Sequence, residues 1–586
     1  MAVAPSKRAP KRLRHLAVTS LAALTALAYG NAVQDALTYD DGVVAPLAQH
    51  PSWARIADLF EHDSWNGLGQ PMTGLFRPLS MATVVLEGWV HGGAPRWLHA
   101  TAVGIHVAAT LALFAALHAM LRDARSVRPR AALAGAWAAA LIFGVHPAHT
   151  DAVASYYNRA EPLVVLGTYA ALWLLWTRAA RSPRLAWGGA LAIYLASLLC
   201  KESAASMPLL LGLCLLLLRP DARPWRDRLR ALWPLLLFAV PLFVYSRLRA
   251  HAVPWPSWAP SRWHVYTHAE SWGARLSTVT SVLADGLRLL VWPHPLRCSY
   301  DEYVPHDIAL ATLLHAGLVV AAVRSVKRHP AVTVGVAMFY VSVLPSTSLF
   351  QDLSMFPGIF AERHLYLPSA ALALPLGFAL ASLASRRGPR APVLAAAAVA
   401  LVFVPLTRAR NVDWSSNLAL FEADWRTDPD NGRNASLLVR NYLALRRRGD
   451  ALAVCDRFLA AHPGHVGMLD ACAITYQQGG RLADAMRLLQ RAWDESHNAR
   501  AAMSLGRLQL QAGDRDAAEV SFTNAVNATE NTVTKHVREG ERILRLHPER
   551  AADARAEFAA ALVLEPTSEP AQDWLRQADR ALATPR

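Results

Sequence analysis

Long apolar runs, repeated many times between Leu13 and Arg408, are the feature that most constrains how this chain folds. Short charged segments separate the runs, and the sequence beyond Arg408 contains no further run of this kind. An α-helix rises about 1.5 Å per residue, so roughly 20 apolar residues cross a hydrocarbon layer of about 30 Å. The sequence therefore predicts a membrane domain built of helices, followed by a soluble domain.

Eleven of these runs are predicted to cross the membrane. They cover residues 15–36, 99–121, 131–148, 162–177, 184–199, 204–218, 231–247, 308–323, 331–349, 366–384 and 391–407. A further apolar segment, 275–293, is interrupted by Asp285 and Arg288, and we interpret it as interfacial or re-entrant. Whether it crosses the membrane stays open at this point.

Clusters of Arg and Lys at the N-terminus and after alternate spans indicate the orientation, because short basic loops stay in the cytoplasm. With all clusters inside, eleven crossings place the N-terminus in the cytoplasm and the C-terminus outside. Five loops then share the outer face, namely residues 38–98, 149–161, 200–203, 248–307 and 350–365. Most of the acidic residues of the membrane domain lie in these loops.

The formal net charge of +15 does not indicate a nucleic-acid partner. The basic residues lie between apolar runs, and no basic stripe interleaved with aromatic residues is present in the sequence. The five cysteines form no CxxC pair. A disulfide between Cys455 and Cys472 is the lesser expectation, since buried free cysteines are common in helical repeats.

The tail repeats with a period of helical-repeat length. Small and apolar residues at Gly480, Ala485, Leu489 and Ala492 are followed 33 positions later by Gly513, Ala518, Phe522 and Ala525. A period of about 34 residues with small residues at helix contacts is typical of tetratricopeptide repeats. A non-repeating helical bundle is the alternative. Such repeats present a concave binding surface, so we expect this domain to hold a partner.

An acidic pair, Asp40 and Asp41, directly follows the first span and opens a long outer loop that also contains Arg77. Such a pair often only caps a helix or faces water. A positioned carboxylate beside a desolvated pocket is, however, what a general base requires.

Ionisable residues also cluster where later spans meet the outer face. The first group is His146, His149, Asp151, Arg159 and Glu161; the second is Lys201 and Glu202; the third is Glu362, Arg363 and Tyr366. Ionisable groups at membrane depth are costly and usually functional, although capping and snorkelling at helix ends are the alternative.

Six motifs in this order carry a resemblance to a known family. They are YDD at 39–41, FRPLS at 76–80, HPAHTDAV at 146–153, NRAEPL at 158–163, KES at 201–203 and AERHLYLPS at 361–369. With the repeats behind the last span, the chain resembles the transmembrane-and-TPR-containing protein O-mannosyltransferases of the GT-C superfamily over nearly its whole length. This family often has Glu at position 151, Asp at 161 and Tyr at 364, where this chain has Asp151, Glu161 and His364.

The resemblance implies an all-α fold. A polytopic GT-C-type bundle of about 11 spans, residues 1–410, is followed by a tetratricopeptide-repeat α-solenoid, residues 411–586, outside the cytoplasm. It implies an inverting glycosyltransferase that moves a hexose, with mannose expected, from a polyprenyl- or dolichyl-phosphate-sugar to a hydroxyl. A Ser or Thr of a protein is the expected acceptor, and a bacterial inner membrane the expected location.

The resemblance also implies the roles of the site residues. Asp40 or Asp41 is the catalytic carboxylate. The donor phosphate is bound by Arg77, Arg159, Lys201 and Arg363. The supporting residues are His146, His149, Asp151, Glu161, Glu202, Glu362 and Tyr366.

The expected partners are the lipid-linked sugar, membrane lipid, and a protein or glycan acceptor held by the repeats. Asp40, Asp41, His146 and His149 offer possible metal ligands, but the resemblance argues against a required metal, and no cofactor is expected. A lipid-diphosphate oligosaccharide ligase or polymerase is an alternative function. A non-enzymatic membrane scaffold or transporter is another; a scaffold should tolerate alanine at the acidic pair, and a transporter should carry charges in mid-span.

Overall fold

The computed structural model describes residues 10–65, 74–124, 127–220, 223–253, 271–300, 303–347, 360–529, 531–564 and 568–583. These residues form helices and no strand, which confirms the all-α class. The chain divides into two compact units, Met1–Ala423 and Asp424–Arg586. The domain boundary expected at 410 and 411 stays a prediction. Lys7 and Arg8 of the basic N-terminus lie outside the described residues.

In chain order the α-helices are α1 (Lys11–Tyr29), α2 (Asp41–Gln49), α3 (Trp53–Glu61), α4 (Pro78–His91), α5 (Pro95–Asp123), α6 (Pro129–Gly144), α7 (Thr150–Ala154), α8 (Ala160–Arg178), α9 (Pro183–Cys200), α10 (Met207–Leu213), α11 (Trp225–Arg230), α12 (Ala239–Ala252), α13 (Trp272–Val291), α14 (Ile308–Ser325), α15 (Pro330–Val343), α16 (Tyr366–Arg387), α17 (Arg390–Asp413), α18 (Asn417–Thr427), α19 (Gly432–Ala444), α20 (Arg448–Ala461), α21 (Val466–Gln478), α22 (Leu482–Ser496), α23 (Ala499–Gln511), α24 (Arg515–Asn527), α25 (Thr532–Leu546), α26 (Ala551–Leu564) and α27 (Glu569–Ala583).

Within the described residues, seven helical segments are long and apolar enough to cross a membrane. They are Pro95–Asp123, Tyr156–Arg178, Pro183–Cys200, Trp225–Ala252, Ile308–Ser325, Glu362–Arg387 and Arg390–Asp413. An eighth results if Pro129–Gly144 and Pro147–Ala154, which meet at 56°, form one broken span. These segments confirm a bundle of apolar helices.

The number of eleven spans is not confirmed. Two predicted spans coincide with the shorter apolar helices Glu202–Leu218 and Pro330–Val343. The first predicted span coincides with α1, which is not one of the seven segments that are long and apolar enough to cross. These three helices are shorter or less apolar than a full crossing requires by itself.

The ambiguous segment forms the amphipathic helix α13. It buries Val279, Val282 and Leu283, while the side chain of Trp272 is 64% exposed and that of Leu276 52% exposed. Asp285 and Arg288 pair with each other on this helix. An apolar exposed edge beside a paired charge fits a helix that lies in the membrane interface, and that location stays a prediction.

Small residues allow the spans to pack closely. A Cβ atom at Gly135 of α6 would lie 2.6 Å from the backbone N of Ala381 on α16, and one at Gly335 of α15 would lie 2.7 Å from the ring of Pro375. Helices in a membrane associate through such close packing, because lipid provides no hydrophobic drive between them. The bundle core accordingly forms around α5, α6, α8 and α16.

The second unit is built of paired antiparallel helices whose contacts follow the predicted repeat. Ala485, Leu489 and Ala492 of α22 are buried, and so are their counterparts Ala518, Phe522 and Ala525 of α24. Gly480 and Gly513 end the helices before them with φ of 77° and 88°, a conformation that favours glycine. The predicted helical repeat is confirmed. The sequence also places Phe558, Ala561 and Pro566 in a later repeat; Phe558 and Ala561 are buried, and Pro566 lies outside the described residues.

The expectation of free thiols at Cys455 and Cys472 is wrong. The two residues form a disulfide, with their Cα atoms 5.6 Å apart. The reason is that α20 packs against α21 and brings the two buried side chains face to face. Cys200, Cys214 and Cys298 are not in disulfides.

Candidate active site

The acidic pair sits where a loop after α1 enters α2. Asp40 precedes the helix and Asp41 is its first residue. Thr38 donates to the carbonyl oxygen of Trp414 at 2.9 Å, and the backbone N–H of Tyr39 donates to Asn417 at 2.6 Å. Tyr39 has a φ of 58°, which is unusual for a non-glycine residue and is tolerated where surrounding contacts enforce it. The end of α17 and the start of α18 thus fix the backbone that presents the pair.

Asp41 is completely buried and holds a turn of the opposite loop. Its Oδ1 accepts hydrogen bonds from Ser155 Oγ at 2.9 Å and from the backbone N–H of Tyr157 at 3.0 Å. Its Oδ2 has no hydrogen-bond partner among the described residues. Burial raises the pKa of Asp41 to about 7, although both hydrogen bonds act to lower it. Asp41 is therefore a poor candidate for contact with a large substrate.

Asp40 is partly exposed and lies in a different environment. Its carboxylate interacts electrostatically with Tyr157 and Arg363. The two adjacent acids thus point in different directions, as expected for neighbours at the start of a helix.

Arg77 directly precedes α4, and its side chain is largely buried. It donates from Nε and Nη2 to the two oxygens of Glu202, at 3.2 and 2.6 Å. Lys201, the neighbour of Glu202, donates to the carboxylate of Glu161 in a pair that is almost fully buried. Burial lowers the pKa of Lys201, and the Glu161 carboxylate opposes that effect.

Arg363 is held by Asp151. Its backbone N–H and its Nη1 both donate to Oδ2 of Asp151, each at 3.2 Å, while Asn158 donates to Oδ1 at 2.9 Å. The Asp151 carboxylate is completely buried, whereas the Arg363 side chain is 23% exposed. The Arg363 side chain is therefore partly accessible from outside.

Arg77, Lys201 and Arg363 share a pattern, because a carboxylate holds each cation in place. Arg77 and Lys201 interact electrostatically, and His364 interacts with all three. Within the part of the chain that the structure describes, Arg77 Nη1, Arg363 Nη2 and two Nζ hydrogens of Lys201 donate to no protein atom. A set of oriented cations with unused N–H groups suits an anion such as a phosphate.

Arg159 differs from these three cations. It is completely buried and donates to the carbonyl oxygens of Tyr156 and Leu98, to Thr83 and to Glu87. These contacts tie α4 and α5 to the turn before α8. A binding role for Arg159 stays a prediction that this geometry does not favour.

The two histidines lie behind the charged cluster. His146 Nδ1 accepts from the backbone N–H of Ala148, and its Nε2 donates to the carbonyl oxygen of Leu290 at 3.1 Å. The His149 ring lies 4.6 Å from that of Tyr366, and its Nε2 is 2.8 Å from Ser369 Oγ. Tyr366 donates to His106 at 2.5 Å. The arrangement packs the segment that carries Asp151 against α16.

Glu362 is a buried acceptor for two neighbouring segments. Its Oε1 accepts from Tyr300 at 3.1 Å and from the backbone N–H of Arg297, and its Oε2 lies 3.9 Å from Arg410. These contacts hold the turn that carries Arg363.

Metal ligands do not assemble here. The described residues contain no group of three His, Cys, Asp or Glu side chains that could hold a metal ion. His146 and His149 are used in the packing just described, and Asp41 in the turn at Ser155.

Two aromatic residues of the cluster are absent from the sequence predictions. The charges of Arg77, Asp40 and Arg363 act on the Tyr157 hydroxyl, and Trp65 donates a hydrogen bond to that hydroxyl at 2.8 Å. The available signal is the position of Tyr157 directly before NRAEPL in a predicted outer loop. Nothing in the local sequence pairs it with Trp65, which lies 92 residues earlier.

No family model matches the chain. Curated relatives include protein O-mannosyl-transferase Tmtc1 of Drosophila melanogaster, 32% identical over 34% of this chain and 23% of the relative. Tmtc2 of the same species is 29% identical over 47% of this chain and 29% of its own length. Human TMTC4 is 26% identical over 64% of this chain and 57% of its own length. The chain thus spans about a quarter of the length of the two fly relatives.

Among solved structures, a thermophilic TPR protein of Thermus thermophilus is 24% identical, covers 31% of this chain and 95% of its own, and superposes with a TM-score of 0.25. The chain is a homologue of the transmembrane-and-TPR-containing protein O-mannosyl-transferases.

Proposed function

We propose that the chain is an inverting membrane glycosyltransferase that moves a hexose, with mannose as the expected sugar, from a polyprenyl phosphate to a Ser or Thr hydroxyl of a protein. The observation that carries this proposal is the position of Asp40 in the electrostatic field of Arg363, within a cluster of three cations that carboxylates hold in place. The names of the relatives, protein O-mannosyl-transferases, support the same reaction class.

Asp40 is the proposed general base. An acceptor hydroxyl is a poor nucleophile until its proton is removed, so Asp40 takes that proton as the oxygen attacks the anomeric carbon. The bond between the anomeric carbon and the phosphate oxygen breaks, and its electron pair leaves with the polyprenyl phosphate. Attack opposite to the leaving group inverts the anomeric centre, through a transition state with oxocarbenium character, as in glycoside hydrolysis.

Arg77, Lys201 and Arg363 are the proposed phosphate ligands. The leaving phosphate gains a negative charge as the bond breaks, and oriented N–H donors stabilise that charge. Glu202, Glu161 and Asp151 orient the three cations from behind. Arg159, whose donors serve the protein interior, is assigned to hold the turn before α8.

An apolar cavity of about 230 Å³ lies between α6, α13 and α16. Its lining is apolar apart from His146 and Ser369. These two residues lie beside the segments that carry Asp151 and Arg363, so the cavity is the proposed place for the first isoprene units of the donor.

The reaction is proposed to occur outside the cytoplasm of a bacterial inner membrane. A disulfide in the repeat unit supports this side, since disulfides persist in oxidising compartments. The repeats are proposed to hold the acceptor, because helical repeats of this kind present a concave binding surface.

The test is transfer in detergent with a short polyprenyl-phosphate-mannose and a Ser/Thr-rich peptide, read by mass spectrometry. We expect mannosylation by the natural chain and a loss of about 10²–10⁴ in rate for Asp40→Asn, as for other general bases. The exposed Asp58 of the same outer loop is the matched control, and Asp58→Asn should keep the natural rate. Absence of transfer by the natural chain, or a fully active Asp40→Asn, contradicts the proposal.

A further inference from the structure

The Tyr157 side chain is fixed within the charged cluster from two sides. Its backbone N–H donates to Asp41, and its ring lies edge-on to that of Trp65, with the ring centroids 6.0 Å apart. The residue is only 5% exposed. Its position therefore follows from the loop geometry and does not depend on a bound substrate.

The hydroxyl of Tyr157 has an unused hydrogen. It accepts a hydrogen bond from Trp65 Nε1 at 2.8 Å. An indole N–H only donates, so this bond uses a lone pair of the hydroxyl and leaves its hydrogen available. Among the described residues no acceptor receives that hydrogen, although buried polar groups are nearly always paired in native proteins.

The charges around the hydroxyl indicate which acceptor is missing. Arg77 and Arg363 act on it as cations, and Asp40 acts on it as an anion. Two arginines whose charges act on one hydroxyl donor suit an oxyanion, and the guanidinium geometry is suited to phosphate.

We infer that the Tyr157 hydroxyl is a fourth phosphate ligand, which donates a hydrogen bond to a non-bridging phosphate oxygen of the lipid donor between Arg77 and Arg363. This inference rests on the proposed function and names a substrate contact within it. The contact strengthens as the leaving phosphate gains charge, so it binds the lipid phosphate product as well as the donor.

Binding of farnesyl phosphate to the purified full-length chain tests the inference, measured by isothermal titration calorimetry. Tyr157→Phe keeps the ring and removes only the hydroxyl, so we expect about 10- to 100-fold weaker binding, as for a hydrogen bond to a charged group. The matched control is Tyr194→Phe, which removes a buried hydroxyl of α9 that has no partner among the described residues. This control should bind like the natural chain.

A second variant tests the inference even if the Tyr157→Phe chain does not fold. Trp65→Phe leaves the hydroxyl in place but frees it to rotate, and we expect a loss of binding smaller than that of Tyr157→Phe. Natural affinity in both variants overturns the inference. A slower transfer with natural farnesyl phosphate affinity in Tyr157→Phe also overturns it, because the hydroxyl then serves the base instead of the phosphate.

The outcomes separate this inference from the proposed function. If the natural chain transfers mannose and Asp40→Asn does not, while Tyr157→Phe binds farnesyl phosphate normally, only the Tyr157 contact is wrong. If the natural chain neither transfers mannose nor binds farnesyl phosphate, the proposed function is wrong and the inference falls with it.

Discussion

Arg363 and Asp151, 212 residues apart in the sequence, are joined by two hydrogen bonds that converge on one carboxylate oxygen. One comes from the backbone of Arg363 and the other from its guanidinium, so the carboxylate fixes both the turn before α16 and the direction of the side chain. A buried carboxylate that orients a partly exposed cation is a typical way to preorganise a phosphate ligand.

Replacing Asp151 should therefore change the position of the Arg363 guanidinium and leave the overall fold largely intact. Asp151→Asn keeps the size of the side chain but loses the charge, and we expect donor turnover to fall about 10- to 100-fold through misplacement of the guanidinium. Asp151→Glu restores the carboxylate and should recover most of the activity. Equal rates for both variants would contradict a role in positioning; the measurement is kcat/KM for the lipid donor.

Lys201 should make donor binding sensitive to alkaline pH. Burial lowers the pKa of Lys201, so the cation is lost at a lower pH than for an ordinary lysine. We expect the KM for the donor to rise at alkaline pH in the natural chain. Lys201→Arg keeps its charge throughout this range, so its KM should stay flat. Parallel pH profiles for the two chains would show that Lys201 does not bind the phosphate.

Asp41 should make stability fall as pH rises. Its pKa is about 7 in the folded chain, against an ordinary value near 3.8, so the buried carboxyl is favoured when protonated. The contribution of the protonated Asp41 carboxyl to the free energy of unfolding is complete below about pH 4 and is lost as the pH rises to about 7. Each unit of difference in pKa corresponds to about 1.4 kcal/mol, so the free energy of unfolding decreases by at most about 4 kcal/mol.

Asp41→Asn removes this titration, because an amide stays neutral. The apparent melting temperature of the natural chain minus that of Asp41→Asn should therefore decrease between pH 5 and pH 8, as measured by thermal unfolding in detergent. A difference that does not change with pH would show that Asp41 keeps an ordinary pKa.

The repeat unit should lie outside the cytoplasm. A reporter that is active only in the periplasm should work when fused after residue 420, whereas a reporter active only in the cytoplasm should not. The same fusion after Arg122, in a predicted cytoplasmic loop, should give the opposite result. Cytoplasmic activity at residue 420 would contradict both the topology and the proposed side of the reaction.

The sequence predicts which segments form the site better than it predicts what each residue does there. Asp40, Arg77, Lys201 and Arg363 come together because each lies at the end of a helix on a predicted outer loop. The partners of the cations follow from packing between segments up to 212 residues apart, which no local pattern encodes. For the same reason the sequence does not distinguish Arg159, whose donors face the interior, from the other three.

The remaining differences have similar causes. Span number is hard to predict because Glu202–Leu218 and Pro330–Val343 are too short to meet a simple length criterion. The Cys455–Cys472 bridge depends on how α20 meets α21, and spacing alone does not reveal whether two buried thiols face each other.

The hydrogen bonds from Thr38 and Tyr39 to Trp414 and Asn417 have a consequence for biosynthesis. The two segments are 376 and 378 residues apart, so a ribosome makes the loop of the acidic pair long before it makes the residues that lock it. A nascent chain therefore holds its proposed general base, Asp40, in an unlocked loop until Trp414 and Asn417, which follow α17, have been synthesised. Any polypeptide released before that stage lacks the lock, so incomplete translation products should not modify other proteins.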